Sequence, residues 1–128
     1  MLVVEDHAIN RRVVRLILDP LGLDVVEAGD GQEGLTLFQQ QHFDLVLMDM
    51  LMPVMDGVAA TMAIREFEQS NGRQRTPVIM LTANSSSDHQ SMSLKGGADN
   101  HIVKPIDREQ LVEAVLEALN LSADAALA

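Results

Sequence analysis

Residues 44–57 read DLVLMDMLMPVMDG: an unbroken apolar run, Leu45–Met48, closed by Asp49 and followed by a turn-rich segment ending in Asp56-Gly57. A short run that is wholly apolar, rather than alternating, is the signature of a strand covered on both faces. Runs of the same kind lie at Leu2–Val4, Val25–Val26, Val78–Leu81 and Ile102–Val103. Stretches of helical period separate them. Ile9, Val13, Leu16 and Ile17 put one apolar stripe on a first helix, and Leu35 with Phe38 begins a second. Ala60, Ala63, Ile64 and Phe67 mark a third, and Leu111, Val115, Ala118 and Leu119 the last. Over Ser86–Lys95 a loosely docked fourth helix is predicted, because only Met92 and Leu94 anchor it. Five β-α pairs give an α/β fold: a five-stranded parallel doubly wound sheet between helices on both faces. Order 2-1-3-4-5, the flavodoxin-like three-layer sandwich with five helices, is the expected arrangement.

Composition narrows the class. At 128 residues the chain has room for one domain with a real core. The expected division is a folded domain over 1–121 and a tail or linker remnant over 122–128; both ends read as cut, as in a domain excised from a longer polypeptide or a trimmed single-domain protein. Nineteen acidic residues against nine Lys and Arg give a formal charge of −10, which argues against wrapping nucleic acid. Without Trp or Tyr there is little to stack on bases or flavins. No apolar run approaches a membrane span, and a secretory signal is not expected from the opening residues. Having no cysteine excludes thiolate chemistry and fits a reducing compartment.

In such a sheet ligands gather where strands end in loops at their carboxyl edge. Strand one ends in Glu5-Asp6, strand three in Asp49, strand four in Thr82 and strand five in Lys104-Pro105. Other acids have ordinary explanations: Asp30, Asp56 and Asp107 as helix caps, Asp24 and Asp44 as solvated turns. Asp6 too could cap the first helix, but Glu5 and Asp49 follow buried strands, where an isolated carboxylate is costly. Three clustered carboxylates repel unless a cation lies among them. Mg²⁺, a hard oxygen-seeking ion, suits that role, with Mn²⁺ as the alternative. An Asp can attack phosphorus to form an acyl phosphate, and an ammonium and a hydroxyl can neutralise the phosphoryl oxygens.

Four stretches in order and spacing carry a resemblance: LVVED (2–6), DLVLMDMLMPVMDG (44–57), PVIMLTA (77–83) and HIVKP (101–105). The chain resembles a response-regulator receiver domain of two-component signalling over nearly all its length. The resemblance implies that Asp49 is the phosphoacceptor, that Asp6 and Asp49 ligate Mg²⁺ with Glu5 acting through water, and that the Leu51 carbonyl is a further ligand. It implies that Lys104 contacts the phosphoryl group, that Thr82 is the switch hydroxyl, and that the Lys104–Pro105 bond is cis. His101 stands where the family usually has a rotating Tyr or Phe; Leu51 and Asn84 flank the site and bear on phosphate lifetime. The phrases DHAINRRV (6–13) and LTAN (81–84) are most similar to receivers of hybrid sensor histidine kinases.

The implied role is phosphorelay signalling rather than independent enzymatic turnover. The implied partner is a histidine kinase or histidine phosphotransfer domain, with neither nucleic acid nor direct membrane contact, and the chain a monomer or weak dimer. The expected setting is the cytoplasm, for a parent that can itself be membrane-anchored. Arg11, Arg12 and Arg15 make a basic spot on the first helix, either a docking face for a four-helix phosphodonor or routine pairing with local acids. A stand-alone single-domain regulator is the nearest alternative. An aspartyl-nucleophile phosphatase of related fold would need an acid at Leu51 and its nucleophile on strand one. A flavodoxin-type carrier would need a hydroxyl-rich loop where His7-Ala8-Ile9-Asn10 stands.

Overall fold

A computed structural model describes residues 1–50, 52, 54–82 and 96–127, with side chains of all but 120–127 of these. Five parallel strands run in the order 2-1-3-4-5: β1 (Leu2–Val4), β2 (Val26–Ala28), β3 (Val46–Asp49), β4 (Val78–Thr82) and β5 (Asn100–Val103). Four helices are described: α1 (Ala8–Leu18), α2 (Gly31–Gln40), α3 (Gly57–Ser70) and α4 (Arg108–Leu127), with a 3-10 turn over Asp19–Leu21. The helix expected over Ser86–Lys95 lies outside the described residues, as does Asn84.

Alternation along each buried strand divides the core in two, as the pleat requires. Leu2, Val4, Val46, Met48, Val78 and Met80 face one way and meet Leu35 and Phe38 of α2 and Ala60 and Ile64 of α3. Val3, Leu47, Ile79, Leu81 and Ile102 face the other way, onto Val14 and Leu18 of α1 and Leu111 and Val115 of α4. At about 25 cal/mol per Å² of apolar area, these two layers are the main source of stability. Edge-on contact of Phe38 with Phe67, ring centroids 6.1 Å apart, couples α2 to α3.

The caps set where the helices start. Asp30 accepts from the Glu33 N–H at 2.8 Å, and Glu33 returns the contact to the Gly29 N–H at 3.1 Å. Asp56 likewise accepts from Ala59 N–H at 2.8 Å. Asp107 accepts from Glu109 N–H at 3.3 Å rather than from Gln110. Asp6 does not cap α1: His7 occupies that position and makes no side-chain capping bond.

The apolar stripe of α1 faces the core only in part: Ile17 packs against it, whereas Ile9 is 79% exposed, Leu16 63% and Val13 39%. Val14 and Leu18 are the buried pair. Period alone identifies a helix, but where two apolar sets lie about 100° apart it cannot say which one meets the sheet.

Candidate functional site

Each site residue is placed by a strand end. The last ladder pairs bring Val4 beside Met48, Asp49 beside Leu81, and Thr82 beside Val103. The chain leaving β1, β3 and β5 therefore delivers Glu5-Asp6, Asp49 and Lys104 to one edge. Backbone bonds hold that edge: Glu5 N–H to Ala28 O at 3.1 Å, Met50 N–H to Leu81 O at 2.9 Å and Lys104 N–H to Thr82 O at 2.7 Å. Gly57 approaches so closely that a Cβ there would lie 2.1 Å from the Asp49 carbonyl oxygen. The Lys104–Pro105 peptide is cis.

Glu5, Asp49 and Thr82 are buried, at 0%, 4% and 1% exposure. Lys104 Nζ stands between the two carboxylates, 3.1 Å from Asp49 Oδ1 and 3.3 Å from Glu5 Oε2. One ammonium cannot neutralise two buried carboxylates, and the imbalance appears in their proton affinities. Burial, then the hydrogen bond and charge of Glu5, push the Asp49 carboxyl from an ordinary 3.8 up to about 7, against the opposing pull of Lys104. Burial also raises Glu5, but hydrogen bonds with Asp49, Asn10 and Lys104 outweigh it and leave Glu5 below the usual range. Burial would lower Lys104, yet the two carboxylates hold it above its ordinary value.

A divalent cation fits the missing charge. One oxygen each of Glu5, Asp6 and Asp49 lie within 4.8 Å of one another. Asp6 Oδ1 is buried without a hydrogen-bond partner among the described residues, an arrangement costly unless something binds it. All three donors are hard oxygens, the set that small hard cations prefer. Leu51, whose carbonyl would be a fourth, lies outside the described residues.

His101 does not join this cluster; it lies half-buried on β5, paired in register with Met80. Of the three arginines on α1, two follow the bland reading. Arg15 bonds Glu27 at 2.9 Å and lies 3.8 Å from Asp19, while Arg11 donates to Glu5 O at 2.7 Å and lies 3.8 Å from Glu27. Arg12 is exposed. The sequence reading missed Asn10, whose amide donates to Glu5 Oε1 at 3.0 Å. Its one signal was spacing: a polar residue one helical turn after the strand-end acids.

Comparison with known proteins bears on the same edge. Sensor protein GacS of Pseudomonas syringae pv. syringae is 37% identical over 122 residues, 95% of this chain and 14% of that protein. Hybrid signal transduction histidine kinase K of Dictyostelium discoideum is 38% identical over 123 residues, 93% of this chain and 10% of that protein. The chain thus spans a small fraction of these relatives. Among solved structures, the receiver domain of sensor histidine kinase PA1611 from Pseudomonas aeruginosa PAO1, with a magnesium ion in its active-site cleft, is 33% identical with a TM-score of 0.83, covering 93% of this chain and 95% of that one. The receiver domain of Saccharomyces cerevisiae Ssk1, solved with the histidine phosphotransfer protein Ypd1, is 27% identical with a TM-score of 0.92, covering 95% and 89%. The family described as the response regulator receiver domain matches residues 1–116. Sheet order, strand-end chemistry and these likenesses agree, and the chain belongs to the receiver-domain family of two-component phosphorelay signalling.

Proposed function

We propose that Asp49 accepts a phosphoryl group from a phosphohistidine donor, a histidine kinase or histidine phosphotransfer domain, in a step that requires Mg²⁺ or Mn²⁺. The observation that carries this reading is the charge imbalance: two buried carboxylates on one ammonium, with Asp6 Oδ1 beside them and without a hydrogen-bond partner among the described residues. Asp6 and Asp49 would hold the ion directly, Glu5 through water, and the Leu51 carbonyl would complete the set. When bound, the ion supplies charge neutralisation at the phosphoryl oxygens.

The chain's own residues account for the rest. An Asp49 carboxylate oxygen attacks phosphorus, the phosphorus–nitrogen bond of the donor breaks, and the imidazole leaves with the electron pair and takes up a proton. Lys104, already 3.1 Å from Asp49, is placed to follow the charge onto a phosphoryl oxygen. The Thr82 hydroxyl, at the end of the adjacent strand, can donate to another and so carry the switch, with His101 as its follower on β5.

For the donor, the exposed stripe of α1 is the natural seat. Ile9, Val13 and Leu16 offer apolar area beside the site, with Arg12 next to them. That the Ssk1 receiver was solved with a histidine phosphotransfer protein supports this class of partner. Origin in a hybrid histidine kinase is supported by the names of the relatives. We further propose a monomer or weak dimer that works in the cytoplasm, where the ATP that charges a histidine kinase is found. Among the described residues no helix is long and apolar enough to cross a membrane.

Intact-mass spectrometry after incubation with acetyl phosphate and MgCl₂ tests the reading. One phosphoryl adduct should form, should require the metal, and should be absent from Asp49→Asn. An adduct of equal yield in Asp49→Asn, or one stable to hydroxylamine, overturns it.

A further inference from the structure

We propose that Asn10 is a positioning residue for the cation centre: its amide fixes one oxygen of Glu5 so that the other stays turned toward the site. The inference rests on the reading that Glu5, Asp6 and Asp49 take a divalent cation.

Glu5 is fully buried and has two oxygens to satisfy. Oε2 faces Lys104 at 3.3 Å. Oε1 receives Asn10 Nδ2 at 3.0 Å and the His7 N–H at 3.4 Å. Only the first of these two lies in the range of a full-strength N–H···O bond, so Asn10 does most of the holding. The amide must present its nitrogen here, because an amide oxygen turned to a carboxylate would repel it. Arg11 gives that amide its reach. Its guanidinium donates to the Glu5 carbonyl at 2.7 Å, which ties the first turn of α1 to the end of β1.

A neutral donor has a consequence that a charged one would not. Asn10 satisfies an oxygen of Glu5 without cancelling its charge, so the negative potential that draws a cation is retained. Lys104 already lowers that potential, and a second ammonium at position 10 would compete with the metal outright. Without the amide, Glu5 is free to rotate its carboxylate and let both oxygens crowd Lys104, away from the orientation that leaves room for an ion and its water. Outer partners of metal ligands commonly change affinity by about 10- to 100-fold. For a residue acting on an indirect ligand the expected change is at the lower end.

The test is a thermal-shift titration with MgCl₂ of the parent chain, Asn10→Ala and Asn10→Leu. Leucine is close to asparagine in size but has no donor, so it separates the hydrogen bond from the packing. Both variants should raise the Mg²⁺ concentration at half-effect by about tenfold while their melting temperatures in EDTA stay within a few degrees of the parent. At saturating Mg²⁺, adduct formation from acetyl phosphate should return to near the parental rate. An unchanged Mg²⁺ midpoint in either variant overturns the inference, as does an affinity loss matched by a collapse of the metal-free melting temperature. A parent chain that itself shows no Mg²⁺-dependent shift removes the cation reading as well, so the two failures are distinguishable.

Discussion

Replacing Asp49 by Asn should stabilise the metal-free protein at alkaline pH and do little at acid pH. Asp49 binds its proton more tightly in the fold than in the unfolded chain, its carboxyl standing at about 7 against 3.8. Between those values the native state holds more protons than the unfolded state, so stability falls as pH rises through this window and the penalty is complete above it. A rise of that size corresponds to at most about 4.4 kcal/mol at roughly 1.36 kcal/mol per pH unit. Because Glu5 and Lys104 share the proton's effect, a gain of about 2–4 kcal/mol is the realistic expectation for Asp49→Asn, which cannot ionise. In a domain of this length that is a rise of roughly 6–15 °C in melting temperature. Circular-dichroism melts in EDTA at about pH 4.5 and 8.5 measure it, with only about a quarter of the gain expected at the acid end. Millimolar Mg²⁺ should restore the parent at alkaline pH by mass action and leave Asp49→Asn nearly unmoved. Equal stability of the two proteins at alkaline pH, or a gain constant with pH, would refute the account of the charge imbalance.

Other outcomes follow from single contacts. Arg65 donates to Glu68 at 2.8 Å, Thr76 O at 2.7 Å, Gly97 O at 3.0 Å and Asp99 at 2.8 Å; Arg65→Ala should cost about 3 kcal/mol in urea unfolding by stranding the buried Glu68, and Arg65→Lys should recover little of it. Gly57→Ala would drive a Cβ to 2.1 Å from the Asp49 carbonyl, so a loss above about 2 kcal/mol together with slower adduct formation is expected. Val54 is 87% exposed at φ 71°, a conformation that a β-branched residue adopts under strain; Val54→Asn should raise stability by about 0.5–1 kcal/mol in the same urea assay. His101→Ala should leave adduct formation intact but flatten the phosphorylation-dependent NMR shift changes along β5. Retention of those changes would mean that the signal leaves by another route.

The strands could be read from the sequence because a doubly covered strand is apolar without interruption. Leu45–Met48 and Val78–Leu81 can belong to little else, and a chain alternating such runs with helices has few packings open to it. The strand-end positions of Glu5, Asp6, Asp49, Thr82 and Lys104 followed from the same runs, since a parallel sheet sends all its carboxyl ends to one edge. Which face of α1 meets the sheet was not determined this way. Ile9, Val13 and Leu16 satisfy the helical period as well as Val14 and Leu18 do, and the choice depends on how Arg11 and Asn10 tie the helix to Glu5. The charge balance of the site was likewise beyond the sequence. That Lys104 stands between Asp49 and Glu5, across 99 positions of chain from the latter, is a property of the closed sheet. Composition counts charges. Only the tertiary structure decides which of them share a dry space, and there the energy of each depends on its neighbours rather than on its type.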